Sequence, residues 1–293
     1  MLKLALKAQL TDKQLDERAG QFLNQTDYEF VIGNTSHTAP LEICDAETGA
    51  IVAVWVPNLL SAKFIKQAFF ALREAASVTD NRGTAAGSGS YKRIRADGSV
   101  STSTHGAKVM SSVVGYFDRY PRRDYCRACA WNYTNPEKWD AAVPMIQEIS
   151  HLFSQYAKEK YLYQEEVASQ VKPDWLIPGT VFSTVTVNKN FRTALHRDGL
   201  NLAHSFSAFN VLRTGNFLGG QLVFPRYRVA FQADNGDLLF FAPQEPHGNI
   251  EIKQLGNQKY ERLSFVYYLR EKMKNCGTME EELQRGKERH GAM

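Results

Sequence analysis

His196-Arg197-Asp198 and, well downstream, His247 are the residues of this sequence best suited to hold a metal. Two imidazoles and one carboxylate on a β scaffold make the facial ligand set of non-haem iron, which leaves three positions open for a bidentate co-substrate and dioxygen. The same donor types also hold catalytic zinc, so ligand identity leaves iron and zinc both open. Taken singly, each signal is weak, since His-x-Asp arises by chance and a lone His is usually structural. The surroundings narrow the choice. Gly236-Asp237-Leu238-Leu239-Phe240-Phe241 reads as a buried strand running toward His247, which puts that imidazole at the mouth of a sandwich, where ligands converge. Further on, Arg262 opens Arg262-Leu263-Ser264-Phe265-Val266-Tyr267-Tyr268. An arginine at the start of an apolar strand is costly to bury unless it meets a carboxylate. Alternation places Arg262, Ser264, Val266 and Tyr268 on one face and Leu263, Phe265, Tyr267 and Leu269 on the other, leaving one face polar where a co-substrate would lie.

Elements must position these groups. Thr11-Asp12-Lys13-Gln14 opens with a good N-cap and leads into Leu15, Ala19, Phe22 and Leu23 on one helical face. Residues 41–44 and 51–56 flank a turn-rich connector ending at Gly49, a hairpin signature. Residues 59–76 carry Phe64, Ile65, Ala68, Phe69 and Leu72 at helical spacing, and 140–161 reads as another helix, with Pro144 tolerable only in its first turn. Between 79 and 108 large apolar residues almost vanish while Arg82, Lys92, Arg93 and Arg95 supply charge, which predicts a mobile basic loop. After Val181, short strand-like runs (181–187, 207–212, 221–224, 228–231, 238–241, 249–252, 263–269) alternate with Gly/Pro/Asn/Asp punctuation, as in a barrel or jelly roll. The reading is α+β: a jelly-roll core buttressed by N-terminal and central helices. Its parts are an N-terminal elaboration (1–78), the loop (79–108), the core (109–270) and a C-terminal helix or tail (271–293).

A chain of 293 residues that is 43% apolar buries one large core rather than two. A net charge of +4 permits an anionic partner but is far from a histone-like surface. Of four cysteines only Cys126 and Cys129 form a close pair, too few for a four-ligand zinc site, so reduced thiols are expected. The CxxC segment (125–131) is expected to pack beneath the site without chemistry of its own. No apolar run is long enough to span a bilayer and no cleavage-site pattern follows the N-terminus, which predicts a soluble, intracellular protein, in a prokaryotic or phage-infected cytoplasm or a nucleus.

The segment 184–198 that ends in Leu195-His196-Arg197-Asp198, then Gly219-Gly220-Gln221-Leu222-Val223-Phe224-Pro225, then His247-Gly248-Asn249, then 262–268, resembles the TET/JBP family of Fe(II)- and 2-oxoglutarate-dependent dioxygenases, in the style of its compact algal and phage members. The resemblance covers about 109–269 and implies a double-stranded β-helix core. It implies that His196, Asp198 and His247 ligate Fe(II), that Arg262 receives the distal carboxylate of 2-oxoglutarate with Ser264 helping, that Asn201 contacts the base and that Tyr268 stacks on it. Asn188 and Arg192 are expected at the other end of 2-oxoglutarate or on the substrate. The sequence departs from the animal members in carrying Arg270 where they have a base-reading histidine, and in lacking their cysteine-rich zinc modules.

The activity so implied is oxidation of the 5-methyl group of a pyrimidine in DNA, 5-methylcytosine to 5-hydroxymethylcytosine first and further oxidation after it. Thymine hydroxylation, ascorbate-dependent glyceryl transfer, or oxidation of a protein side chain or small molecule are the alternatives. The expected partners are dioxygen and DNA with its methylated base flipped out, since a stacked methyl group cannot reach a metal. The basic loop and Arg119, Arg122, Arg123 and Arg127 are expected to contact phosphates without reading sequence. No membrane and no protein partner is expected.

Overall fold

The computed structural model describes residues 1–33, 35–87, 91–94, 100–103, 107–120 and 123–291. Its centre is a ten-stranded sheet ordered Leu2–Leu6, Leu41–Asp45, Ile51–Val56, Leu238–Phe241, Ser207–Thr214, Glu261–Tyr268, Thr184–Lys189, Val109–Phe117 and Val78–Thr79, with Arg127–Ala128 pairing beside Val109–Phe117. A four-stranded sheet (Gly248–Asn249, Leu222–Phe224, Val229–Gln232, Phe30–Gly33) faces it. Alternation explains how the two are held together. Phe209, Val211, Leu239, Phe241 and Trp55 of the large sheet pack against Phe224, Val229 and Phe231 of the small one. The opposite faces of the same strands, with Ala208, Leu212, Leu263, Phe265 and Tyr267, pack against helices.

Those helices are Ala62–Leu72 and Pro136–Tyr156. In the second, Met145, Ile146, Ile149 and Phe153 recur on one face and are buried. Phe153 lies flat on Phe240 at 5.1 Å and on Phe182 at 6.1 Å, tying the helical layer to the sheet.

Several expectations change. The helix expected at 140–161 starts earlier, at Pro136, so Pro144 sits inside it rather than in its first turn. Pro136 takes the start because its missing N–H is needless there, and burial of the apolar face overrides the hydrogen bond lost at Pro144. Ala157 then leaves the helical region, and a separate helix runs over Lys158–Ala168. The N-terminal helix is short, Asp12–Glu17, closed by the Thr11–Gln14 capping box; Leu23 is buried from an extended segment beyond it. Residues 1–78 contribute strands to both sheets. The stretch expected to be a bare loop contains a short turn of helix at Gly83–Ala86 and a hairpin pairing Tyr91–Ile94 with Val100–Ser103; Arg95 lies outside the described residues.

The cysteines are corrected as well. Cys126 and Cys276 form a disulfide, leaving Cys44 and Cys129 as free thiols. Sequence spacing hides this pair because 150 residues separate its members. Glu282 of the C-terminal helix Met279–Gly291 is buried beside the bridge, where it accepts from the backbone N–H groups of Cys126 and Gly277 at 2.7 and 2.8 Å and pairs with Arg119. Replacing Phe153 with Ala is expected to destabilise the protein by about 3–5 kcal/mol, read as a lowered urea midpoint by circular dichroism.

Candidate metal centre

The metal segment is shaped by how the chain leaves the strand Thr184–Lys189. Asn190 takes a left-handed φ of 49°, its N–H donates to the Arg262 carbonyl at 2.8 Å and its side-chain oxygen accepts from the Arg262 N–H at 2.8 Å. Asparagine tolerates this conformation better than most residues. The chain then passes through Ala194, whose N–H donates to Ala85, and reaches His196. There His196 and His247 exchange backbone hydrogen bonds, each N–H donating to the other's carbonyl at 2.9 Å. Gly248 permits this approach: a Cβ there would lie 2.9 Å from the Ala194 carbonyl carbon and oxygen.

One ligand atom from each of His196, Asp198 and His247 lies within 4.8 Å of the others. The Nδ1 atoms of the two imidazoles face carbonyls, His196 that of Ala194 and His247 that of Glu245, both at 2.8 Å. A carbonyl only accepts, so each Nδ1 carries the proton and each Nε2 lone pair is left for a metal. The Asp198 Oδ1 is 3.6 Å from His196 Nε2. The second carboxylate oxygen accepts from Asn201 Nδ2 at 3.2 Å. This donor set fits a divalent first-row metal with open positions.

Burial opposes a charge on His196, yet the Asp198 carboxylate and the Ala194 and His247 carbonyls outweigh it and hold its pKa above the ordinary 6.5. Burial first, and the His196 charge second, press His247 down to about 4. Phe241 meets the His247 ring edge-on at 5.0 Å, which fixes its plane. Between the two ligands, Arg197 donates to Asp12 at 2.6 Å and to the Gln244 carbonyl at 2.6 Å, clamping the N-terminal helix over the metal segment.

A cavity of about 290 Å³ opens onto the triad. Of the residues singled out in the sequence, it is lined by His196, Asp198 and His247, by Arg262, Ser264 and Asn188, and by Asn201 and Tyr268. Arg262 is only 3% exposed and donates to the Gly220 carbonyl at 2.8 Å. Gly220, at φ 77°, makes the room, because a Cβ would lie 2.9 Å from Arg262 Nε. Burial, helped by the charge of Arg213, brings the Arg262 guanidinium down to about 10, and no carboxylate among the described residues forms an ion pair with it. Ser111 donates to the Asn188 side chain, and the hydroxyls of Thr186 and Tyr268 lie 3.4 Å apart.

Arg192 does not join them. It turns outward, donates to the Leu23 carbonyl at 2.7 Å, lies over the Phe22 ring and borders a different cavity. Within the basic cluster, Arg119 is paired with Glu282 and Arg127 lies over the Phe117 ring at 4.5 Å. Arg123 is exposed, and Arg122 lies outside the described residues. Arg270 is buried and paired with Asp118 at 2.7 Å.

Arg82, expected in the basic loop, instead lines this cavity with its Nε buried and unbonded. Burial lowers its pKa, offset by Tyr268 and Asp198 nearby. Phe241 and Asn249 also line the cavity; Asn249 holds the Thr193 backbone N–H at 2.7 Å. Nothing in the local pattern of the Gly/Ser-rich stretch marks Arg82 as inward-facing, whereas Asn249 carries a signal in standing two residues beyond His247.

Two outcomes are expected in Co(II) or Fe(II) titrations under anaerobic conditions. A metal must displace the proton whose affinity for His196 is raised, so binding is full above that raised pKa and falls by about tenfold per pH unit below it. Gly248→Ala is expected to weaken metal binding by about tenfold or more, the scale of a disturbed ligand-supporting contact.

Comparison with known proteins agrees with the geometry. Residues 112–271 match the Tet/JBP family, the oxygenase domain of the 2OGFeDO superfamily. The chain is 34% identical over 173 residues to the bifunctional helicase and thymine dioxygenase JBP2 of Trypanosoma brucei brucei, which is 58% of this chain and 15% of that protein. It is 30% identical over 229 residues to JBP2 of Leishmania major, 77% of this chain and 19% of that protein. Against thymine dioxygenase JBP1 of Trypanosoma brucei brucei it is 31% identical over 168 residues, 56% of this chain and 20% of that protein. The chain thus spans 15–20% of the length of these curated relatives. The solved structure of NgTET1 in complex with 5mC DNA shares the fold, with a TM-score of 0.58 over 95% of this chain and 100% of that one at 14% identity. No helix among the described residues is long and apolar enough to cross a membrane. With a matching domain over more than half its length and a His-Asp-His triad that fits iron, the chain belongs to the Tet/JBP family of Fe(II)- and 2-oxoglutarate-dependent oxygenases.

Proposed function

We propose that this domain hydroxylates the 5-methyl group of a pyrimidine base in DNA. The observation that carries this reading is a single cavity that joins the triad to Arg262 and Ser264 on one side and to Asn201 and Tyr268 on the other. Arg262 and Tyr268 stand on the same face of one strand, six residues and thus roughly 20 Å apart. That is room for a co-substrate at one end and a base at the other.

Fe(II), 2-oxoglutarate and dioxygen supply the oxidation, with succinate and carbon dioxide released, and the protein supplies binding and orientation. Arg262, buried and without a carboxylate partner among the described residues, would take the distal carboxylate of 2-oxoglutarate, with the Ser264 hydroxyl beside it. Arg82 brings a second guanidinium to the cavity, which suits a dianionic co-substrate. The Tyr268 ring offers a stacking surface, and the base must leave the duplex to use it.

Thymine is the base that the names of the relatives at 30–34% identity support. 5-Methylcytosine, the expectation from resemblance, is the second arm of the test. The decisive measurement is nucleoside mass spectrometry after incubation of duplex DNA containing thymine, with or without 5-methylcytosine, with Fe(II) and either 2-oxoglutarate or ascorbate. The expected product is 5-hydroxymethyluracil in step with succinate, absent in the His247→Ala variant. Succinate without any altered base would transfer the activity to a protein side chain or small molecule.

A further inference from the structure

Asn201 lies three residues beyond Asp198, is 8% exposed, and is pinned at both ends of its backbone. Leu200 accepts from the Glu271 N–H at 3.1 Å and Leu202 donates to Leu269 at 2.8 Å, so the segment is laid along the end of the Glu261–Tyr268 strand. Its side-chain Nδ2 donates twice, to Ser207 Oγ at 2.8 Å and to the Asp198 Oδ2 at 3.2 Å. Ser207 is fully buried and opens the strand Ser207–Thr214, where it pairs with Phe241, the residue packed on the His247 ring. Ser207 is absent from the cavity lining, whereas Asn201 is part of it.

These contacts settle how the amide is turned. A carboxylate only accepts, so the NH₂ end of Asn201 must face Asp198, and the Ser207 oxygen takes its other hydrogen. Both donors are then committed within the protein. A monodentate carboxylate ligand needs its second oxygen held, or it rotates and competes for the metal with both oxygens. We infer that Asn201, anchored by Ser207, is a positioning residue that holds Asp198 Oδ2 away from the metal and presents Oδ1, the atom facing His196 Nε2, to it. The chain of contacts runs from a buried strand, through Ser207 and Asn201, to the ligand. It differs from the base-contacting role implied for Asn201 by resemblance, because the atoms that would donate to a base are the ones holding Asp198. Only Oδ1 is left to face a substrate.

This inference rests on the metal reading of the triad, and the test separates the two. Wild type, Asn201→Ala and Ser207→Ala are titrated anaerobically with Co(II), recording affinity and the ligand-field absorption bands, and each is checked by circular dichroism for folding. Ser207→Ala removes one buried oxygen and leaves the cavity lining intact. The expected result is one Co(II) per wild-type chain, affinity lowered by about tenfold or more in both variants, and shifted or broadened bands in both. Wild type that binds Co(II), with folded variants matching it in affinity and bands, overturns the positioning role; a change confined to DNA affinity in Asn201→Ala would then mark a base contact. Failure of the wild type to bind Co(II) overturns the metal reading itself and the inference with it.

Discussion

Two backbone hydrogen bonds, exchanged between His196 and His247, are the contact on which the site depends. His196 belongs to the segment that leaves the large sheet after Lys189, and His247 immediately precedes a strand of the small sheet. Neither sheet alone brings ligands together. The bridge closes the sandwich at its mouth, sets the two rings 4.5 Å apart, and delivers Asp198 two residues later on the same segment. Gly248 and Ala194 show how little space this leaves, since the chain on one side passes against the missing side chain on the other. Close packing of backbone, more than the imidazoles themselves, defines where a metal can sit.

The Glu261–Tyr268 strand shows how stability and chemistry divide on one element. Leu263, Phe265 and Tyr267 are sealed in the helix-facing core. Arg262, Ser264, Val266 and Tyr268 face the cavity. A buried guanidinium without a paired carboxylate is costly, and Arg262, which has none among the described residues, is tolerated with a carbonyl from Gly220 and a glycine that makes the space. Such an arrangement destabilises the chain alone and favours an anion, a pattern expected of a binding group rather than a structural one.

Legibility in the sequence followed the range of the interaction. The strand alternation at 262–268 was readable because its period is local, and the triad because residue chemistry and a flanking apolar run announce it. The mixed helix-and-sheet class was readable for the same reason, but not the strands that open the chain. Arg82 was not, because its inward turn depends on Ala85 meeting Ala194, a contact over more than a hundred residues that no local pattern encodes. Arg192 was misplaced for the complementary reason: its nearness in sequence to His196 suggested the cavity, but the turn at Asn190 and the Phe22 and Leu23 contacts carry it to the other side. The strands Leu2–Leu6 and Phe30–Gly33 pair in parallel with distant partners, so their short runs carried little signal. Arg119 looked like surface charge because Glu282 lies far along the chain.

The Cys126–Cys276 bond makes the chain between those residues a closed covalent ring. Every candidate ligand and every cavity residue downstream of the CxxC segment lies inside it, while Arg82, the N-terminal helix and the strands from Leu2 to Val56 lie outside. In the loop-entropy view, a ring of this size removes about 5 kcal/mol of freedom from the unfolded chain. Oxidised chains therefore lose the ring's interior and its N-terminal covering on different terms. The covering, held by strand pairing, by core residues such as Trp55 and by ion pairs such as Asp12 with Arg197 and Arg226, is tied to the ring by the chain at one end only, whereas the ligand-bearing ring stays a loop even when its hydrogen bonds are gone.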